Sequence, residues 1–117
     1  MEKSLVYQKA YAFSLEVVKV YRLLQEAREY DLSRQLLRCG TSIGANLAEA
    51  NGAISKADFS AKVSVSYKET LETKYWLSLL HDCGLLQEAG FRQLYQQADE
   101  ISRMCFAILK STGRVSK

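Results

Sequence analysis

The chain contains no proline, and no glycine precedes Gly40. Proline breaks a helix interior and glycine commonly closes one, so the placement of these two residues limits where helices can run. The six glycines stand at 40, 44, 52, 84, 90 and 113, and most of them fall where an amphipathic pattern runs out. This predicts a few long helices. Apolar residues at 48% and charged residues at 25% match ordinary globular usage, which excludes a disordered or fibrous chain. A chain of 117 residues can bury roughly two thirds of its unfolded surface, enough for one core. One all-α domain over residues 1–117 is expected.

The apolar period places the helices. Ala10, Phe13, Val17, Tyr21 and Leu24 are three and four residues apart and define a first helix over about 4–26. The same frame continued would bury Arg28 and Asp31, so the chain must turn there. Leu32, Leu36, Cys39, Ile43, Leu47 and Ala50 mark a second helix over 32–51, with Gly52 as its stop. Ser55 and Asp58 form a capping-box pattern that opens a third helix over 55–83, closed by Gly84. The fourth, over 87–112, carries Phe91, Leu94, Ala98, Ile101, Cys105 and Ile108 in alternating steps of three and four, a seam for helices crossing at about 20°. Short connections then give an antiparallel up-and-down four-helix bundle, with the tail from Gly113 to Lys117 frayed. Tyr11, Leu15, Val18, Tyr75, Trp76, Leu79, Tyr95, Phe106 and Leu109 lie off these stripes. Either a wide core absorbs them or they form a surface buried by association.

Several chemistries are excluded. The single histidine, His81, has Ser78 three positions before it, so the Glu-x-x-His pairs of carboxylate-bridged metal bundles are missing. There is no phosphate-binding glycine loop and no Gly-x-Ser-x-Gly elbow. Cys39, Cys83 and Cys105 lack the close partners of a zinc or redox site and read as three buried thiols. No metal, cofactor or catalytic group is therefore expected. The start lacks a signal-peptide pattern and no apolar run reaches about 18 residues, so a cytoplasmic protein without a membrane span is expected. A formal net charge of +3 is only mildly basic.

Three groups of residues remain as candidates. Gly40, Gly44 and Ala48 recur every four residues and would make a smooth groove for a close helix neighbour, offsetting about 1 kcal/mol lost at each mid-helix glycine. Asn46 and Glu49 share a face that Glu69, Glu72 and Thr73 could meet from the third helix, giving a polar cluster that fixes helix register. Arg34 and Arg38, four apart, share a face, and with Arg28 they are the candidate nucleic-acid contacts. Their alternative reading is as solvated charges paired with Glu26, Glu29 and Asp31. Lys56, Lys62, Lys68 and Lys74 recur every sixth residue and cannot form one stripe, because six steps turn the helix by 600°.

Leu32-Ser33-Arg34-Gln35-Leu36-Leu37-Arg38, Thr41-Ser42-Ile43-Gly44-Ala45-Asn46-Leu47-Ala48-Glu49-Ala50 and Lys68-Glu69-Thr70-Leu71-Glu72-Thr73-Lys74-Tyr75-Trp76-Leu77 resemble the 23S rRNA intervening-sequence proteins. The strong match covers 32–77, and the flanking helices agree in length and pattern. Gly44 and Ala50 depart from the family, many of whose members have Pro and Gly there. The resemblance implies a bacterial up-and-down bundle that assembles into a ring-like homopentamer. It supplies no catalytic residues, and its recurrent positions Gln35, Ser42, Asn46, Glu49, Glu69 and Glu72 fit an architectural role. A related bundle, the accessory protein of diversity-generating retroelements, engages a reverse transcriptase and nucleic acid. The resulting expectation is a non-enzymatic, self-assembling bundle that binds RNA or a nucleoprotein partner; the alternative is a protein–protein adaptor.

Overall fold

A computed structural model describes residues 4–113 as four helices: α1 Leu5–Glu26, α2 Tyr30–Asn51, α3 Lys56–Asp82 and α4 Glu88–Ser111. The described residues contain no strand. Each helix packs against the next and α4 returns to α1, while the diagonal pairs α1/α3 and α2/α4 bring no Cα atoms within 8 Å of each other. The result is an antiparallel up-and-down bundle, 44 Å long. Of the tail expected to fray, residues 114–117 lie outside the described residues.

Helix ends follow local hydrogen-bond chemistry. Ser55 Oγ accepts the Asp58 N–H at 3.0 Å, and the Asp58 carboxylate accepts the Ile54 N–H at 3.2 Å, a capping box shifted back by one residue. Both α1 and α3 close in Schellman turns. At the end of α3 the Leu85 N–H reaches the Leu80 carbonyl at 2.9 Å, with Gly84 at φ +84°. At the end of α1 the Glu29 N–H reaches the Leu24 carbonyl at 2.8 Å, and the left-handed residue is Arg28 at φ +63°. This turn needs only Ala27 to Glu29, so α2 starts at Tyr30, two residues before the expected Leu32. The early start buries Ser33, whose hydroxyl lies 2.7 Å from Gln25 Oε1 and 2.9 Å from the Tyr30 carbonyl.

The core contains Ala10, Phe13, Val17 and Leu24 of α1, with Leu36, Cys39, Ile43, Leu47 and Ala50 of α2. In α4 the buried line runs Leu94, Ala98, Ile101, Cys105 and Leu109. Leu109, expected off the core, takes the place assigned to Ile108, because a straight helix turns every 3.6 residues and drifts from a 3.5-residue seam. Cys39 and Cys105 are buried, but Cys83, at the C-cap of α3, is exposed, which corrects the reading of three buried thiols.

Two mid-helix glycines hold α2 against α1. A Cβ on Gly40 would stand 2.9 and 3.0 Å from the two Val17 methyls, and one on Gly44 would stand 3.5 Å from Ser14 Oγ and 3.6 Å from the Ala10 backbone. Ala48, the third member of that repeat, is exposed and takes no part. Gly40→Ala should therefore destabilise by about 1–2 kcal/mol, since Val17 is stiff and overpacking outweighs helix propensity. Gly44→Ala should stabilise by up to about 1 kcal/mol, because its methyl enters ordinary contact. Arg28→Gly should also stabilise by up to about 1 kcal/mol by relieving the left-handed backbone. Urea unfolding of the three variants measures all these shifts, and equal effects at Gly40 and Gly44 would contradict the packing argument.

Candidate functional site

The buried stripe of α3 is unusually polar: Ser60, Val63, Ser66, Thr70, Thr73, Leu77 and Leu80. The Thr70 and Thr73 hydroxyls donate to the carbonyls of Tyr67 and Glu69 on their own helix, while Ser66 Oγ donates across to the Ile43 carbonyl of α2 at 2.9 Å. These short side chains satisfy themselves and let α2 and α3 approach closely. Large apolar groups on α3 are displaced outward as a result, and Leu71, Tyr75 and Leu79 are exposed.

Above that buried layer runs a rim of charged groups. The Arg38 guanidinium pairs with the Glu72 carboxylate, stands 3.8 Å from Glu69 Oε1 and bonds Gln35 Oε1 at 3.2 Å. Trp76 Nε1 donates to Glu72 Oε2 at 3.0 Å. That indole bond, followed by Arg38, holds the Glu72 carboxyl below its ordinary range, against the opposing effect of burial. Glu69 moves the other way: burial, followed by the neighbouring Glu72 charge, pushes its carboxyl up despite Arg38. Its Oε1 is buried and accepts no hydrogen bond. Burial also pushes the Cys39 thiol up, with the Thr73 hydroxyl opposing.

The polar residues singled out in the sequence do not form one cluster. Asn46 Nδ2 donates to the carbonyl and hydroxyl of Ser42 on its own helix, at 2.8 and 2.9 Å. Glu49 pairs with Lys62 across the seam at 2.7 Å. Lys62 lies about two helical turns, roughly 10 Å, before Glu69, so the Asn46/Glu49 and Glu69/Glu72 pairs occupy separate stations along the seam. Neither Trp76, four residues after Glu72, nor the inter-helix bond of Ser66 was anticipated. An i,i+4 search would have found the first, and nothing local marks the second.

The arginines separate as well. Arg38 is held between two carboxylates, Arg34 lies 3.6 Å from Asp31, and Arg28 occupies the turn after α1. Glu26, Glu29 and Asp31 surround Arg22, Arg28 and Arg34 in the chain, so this end of the bundle carries no excess of positive charge. His81 stacks on Phe91 with centroids 4.4 Å apart, and its Nε2 lies 2.7 Å from Glu88 Oε1, joining the end of α3 to the start of α4. Among the described residues no three His, Cys, Asp or Glu side chains are grouped to hold a metal ion, and no helix is long and apolar enough to cross a membrane.

The model of the family described as 23S rRNA-intervening sequence protein matches residues 2–107. The chain belongs to that family. One solved structure similar to this intervening-sequence family member is a protein of unknown function from the S23 ribosomal protein family of Bacteroides thetaiotaomicron. The two chains are 37% identical, the match covers 91% of this chain and 99% of the other, and the TM-score is 0.88. A search of curated proteins finds no match. The four-helix frame is thus shared with that protein over nearly the whole length of both.

Removing Arg38 leaves Glu69 and Glu72 facing each other. Arg38→Ala should cost about 1 kcal/mol near pH 7, a value discounted for the arginine's exposure. The sign with pH follows from Glu69: its folded pKa is raised, so the native state takes up that proton first as pH falls, and the repulsion disappears. The deficit should therefore shrink between about pH 7 and about pH 5, before Glu72, with its lowered pKa, is protonated. Urea midpoints of both proteins across that range provide the check, and a deficit that grows as pH falls would contradict the assignment.

Proposed function

We propose that this intervening-sequence family member is a non-enzymatic, cytoplasmic bundle that assembles with copies of itself and offers the assembly to RNA or a nucleoprotein partner. The supporting observation is a pair of exposed apolar stripes. Tyr11 and Leu15 on α1 are 56% and 52% exposed, and Leu71, Tyr75 and Leu79 on α3 are 44%, 59% and 37% exposed. They lie on the two helices of one diagonal.

Two different patches at opposite corners favour a head-to-tail contact, in which the α1 stripe of one copy meets the α3 stripe of the next and the series closes into a ring. The family resemblance supplies the number five. Five copies would carry a formal charge of about +15, enough to make binding to a polyanion depend on salt. The neutralised Arg38 favours a second reading, a protein–protein adaptor that works through the exposed aromatics. That reading predicts a co-purifying protein retained after nuclease treatment.

Light scattering on the purified chain should give a mass near five times 13.2 kDa. The 260/280 nm absorbance ratio of the same peak should fall as salt is raised. Leu15→Glu and Tyr75→Glu should each reduce the mass to that of a monomer while leaving the helix content intact. A wild-type monomer would overturn the assembly.

A further inference from the structure

We infer that the groove between α3 and α4 is a binding site for single-stranded nucleic acid, an inference that rests on the nucleic-acid reading above and places it on a face other than the arginine cluster. The groove has a volume of about 430 Å³ and is lined by Tyr67, Ser102, Arg103, Phe106, Ala107 and Lys110. Tyr67 is its α3 wall, N-terminal to the exposed Leu71, Tyr75 and Leu79.

Charge distribution carries the argument. Arg103 and Lys110 line the groove and Lys74 joins them through Asp99, the carboxylate among these three cations, which leaves an excess of positive charge on this side. Asp99 is shared, one oxygen 2.8 Å from Lys74 Nζ and the other on Arg103. Lys110 enters no ion pair among the described residues. The Arg22, Arg28 and Arg34 end, by contrast, is balanced by three carboxylates.

Aromatic rings lie between these cations. Tyr67 and Phe106 pack with centroids 5.7 Å apart at 46°, both half-buried and lining the groove, and Lys74 stands 5.3 Å from the centre of the Tyr95 ring. A basic groove with interleaved aromatics suits a strand whose bases are free to stack, with phosphates on the lysines and arginine. A duplex hides its base faces and would reach only the cations. A groove between two helices packed about 8–10 Å apart is also too narrow for one.

The test is fluorescence anisotropy with a labelled 20-nucleotide oligouridine at about 50 mM salt. Lys110→Glu should weaken binding about tenfold and lower its salt dependence, with the light-scattering mass unchanged. Phe106→Leu, which keeps the packing but loses the ring, should weaken binding several-fold, whereas Arg28→Glu/Arg34→Glu should bind like wild type. If the lysine variant binds normally, or only the arginine variant loses affinity, the groove is wrong and the nucleic-acid reading stands. A changed mass in the lysine variant would make the groove a seat for a second copy and overturn the inference. Binding by wild type to structured RNA or duplex DNA alone would overturn the groove, and binding to no nucleic acid would overturn both.

Discussion

Ser66 gives its hydroxyl to the Ile43 carbonyl, and one residue further along α2 Gly44 rests against the backbone of Ala10. Helix α2 is thus held closely on both sides, by the missing side chains of Gly40 and Gly44 toward α1 and by the short hydroxyl side chains of α3 on the other side. The close fit determines what the remaining residues can do. With Ser66, Thr70 and Thr73 in the buried stripe, α3 has no interior space for Leu71, Tyr75 and Leu79, and these become surface. A core that is small-residue-rich along α2 and α3 leads directly to an apolar exterior.

Electrostatics follow from the same arrangement. The α2–α3 seam brings Arg38 to Glu69 and Glu72, using up the most promising arginine in a local pairing and leaving one carboxylate oxygen buried without a donor. The α3–α4 side has fewer acids. Asp99 serves both Lys74 and Arg103, and Lys110 is left over. The positive surface therefore lies a quarter turn of the bundle from Arg34 and Arg38.

The proposed assembly and binding would use separate parts of α3, the C-terminal half carrying the apolar stripe and Tyr67, nearer the N-terminus, bordering the groove. A ring built through the stripe would repeat the groove around its circumference. Weak individual contacts would then add along one strand, as linked sites do when geometry lets them engage together.

The amino-acid sequence by itself determined the helices and most of the core. Without proline, and with glycines at the stops, the apolar period could only be helical, and Phe13, Val17, Leu36, Ile43, Ala98 and Ile101 were legible because burial at 3.6-residue spacing is a local property. Where the end of α1 uses Arg28 in place of glycine, the local signal vanished and the start of α2 was misplaced by two residues. The choice of partners lay beyond the sequence. Arg38 and Asn46 were both visible as polar positions, yet only the rotation and axial offset of α2 against α3 decided that Arg38 meets Glu69 and Glu72 while Asn46 turns back to Ser42. Lys74, one of the α3 lysines that spiral around the helix with no common stripe, gained cationic company only when α4 brought Asp99 and Arg103 to it. Charge is a sum over everything nearby in space, and which helices are neighbours is a property of the packed bundle.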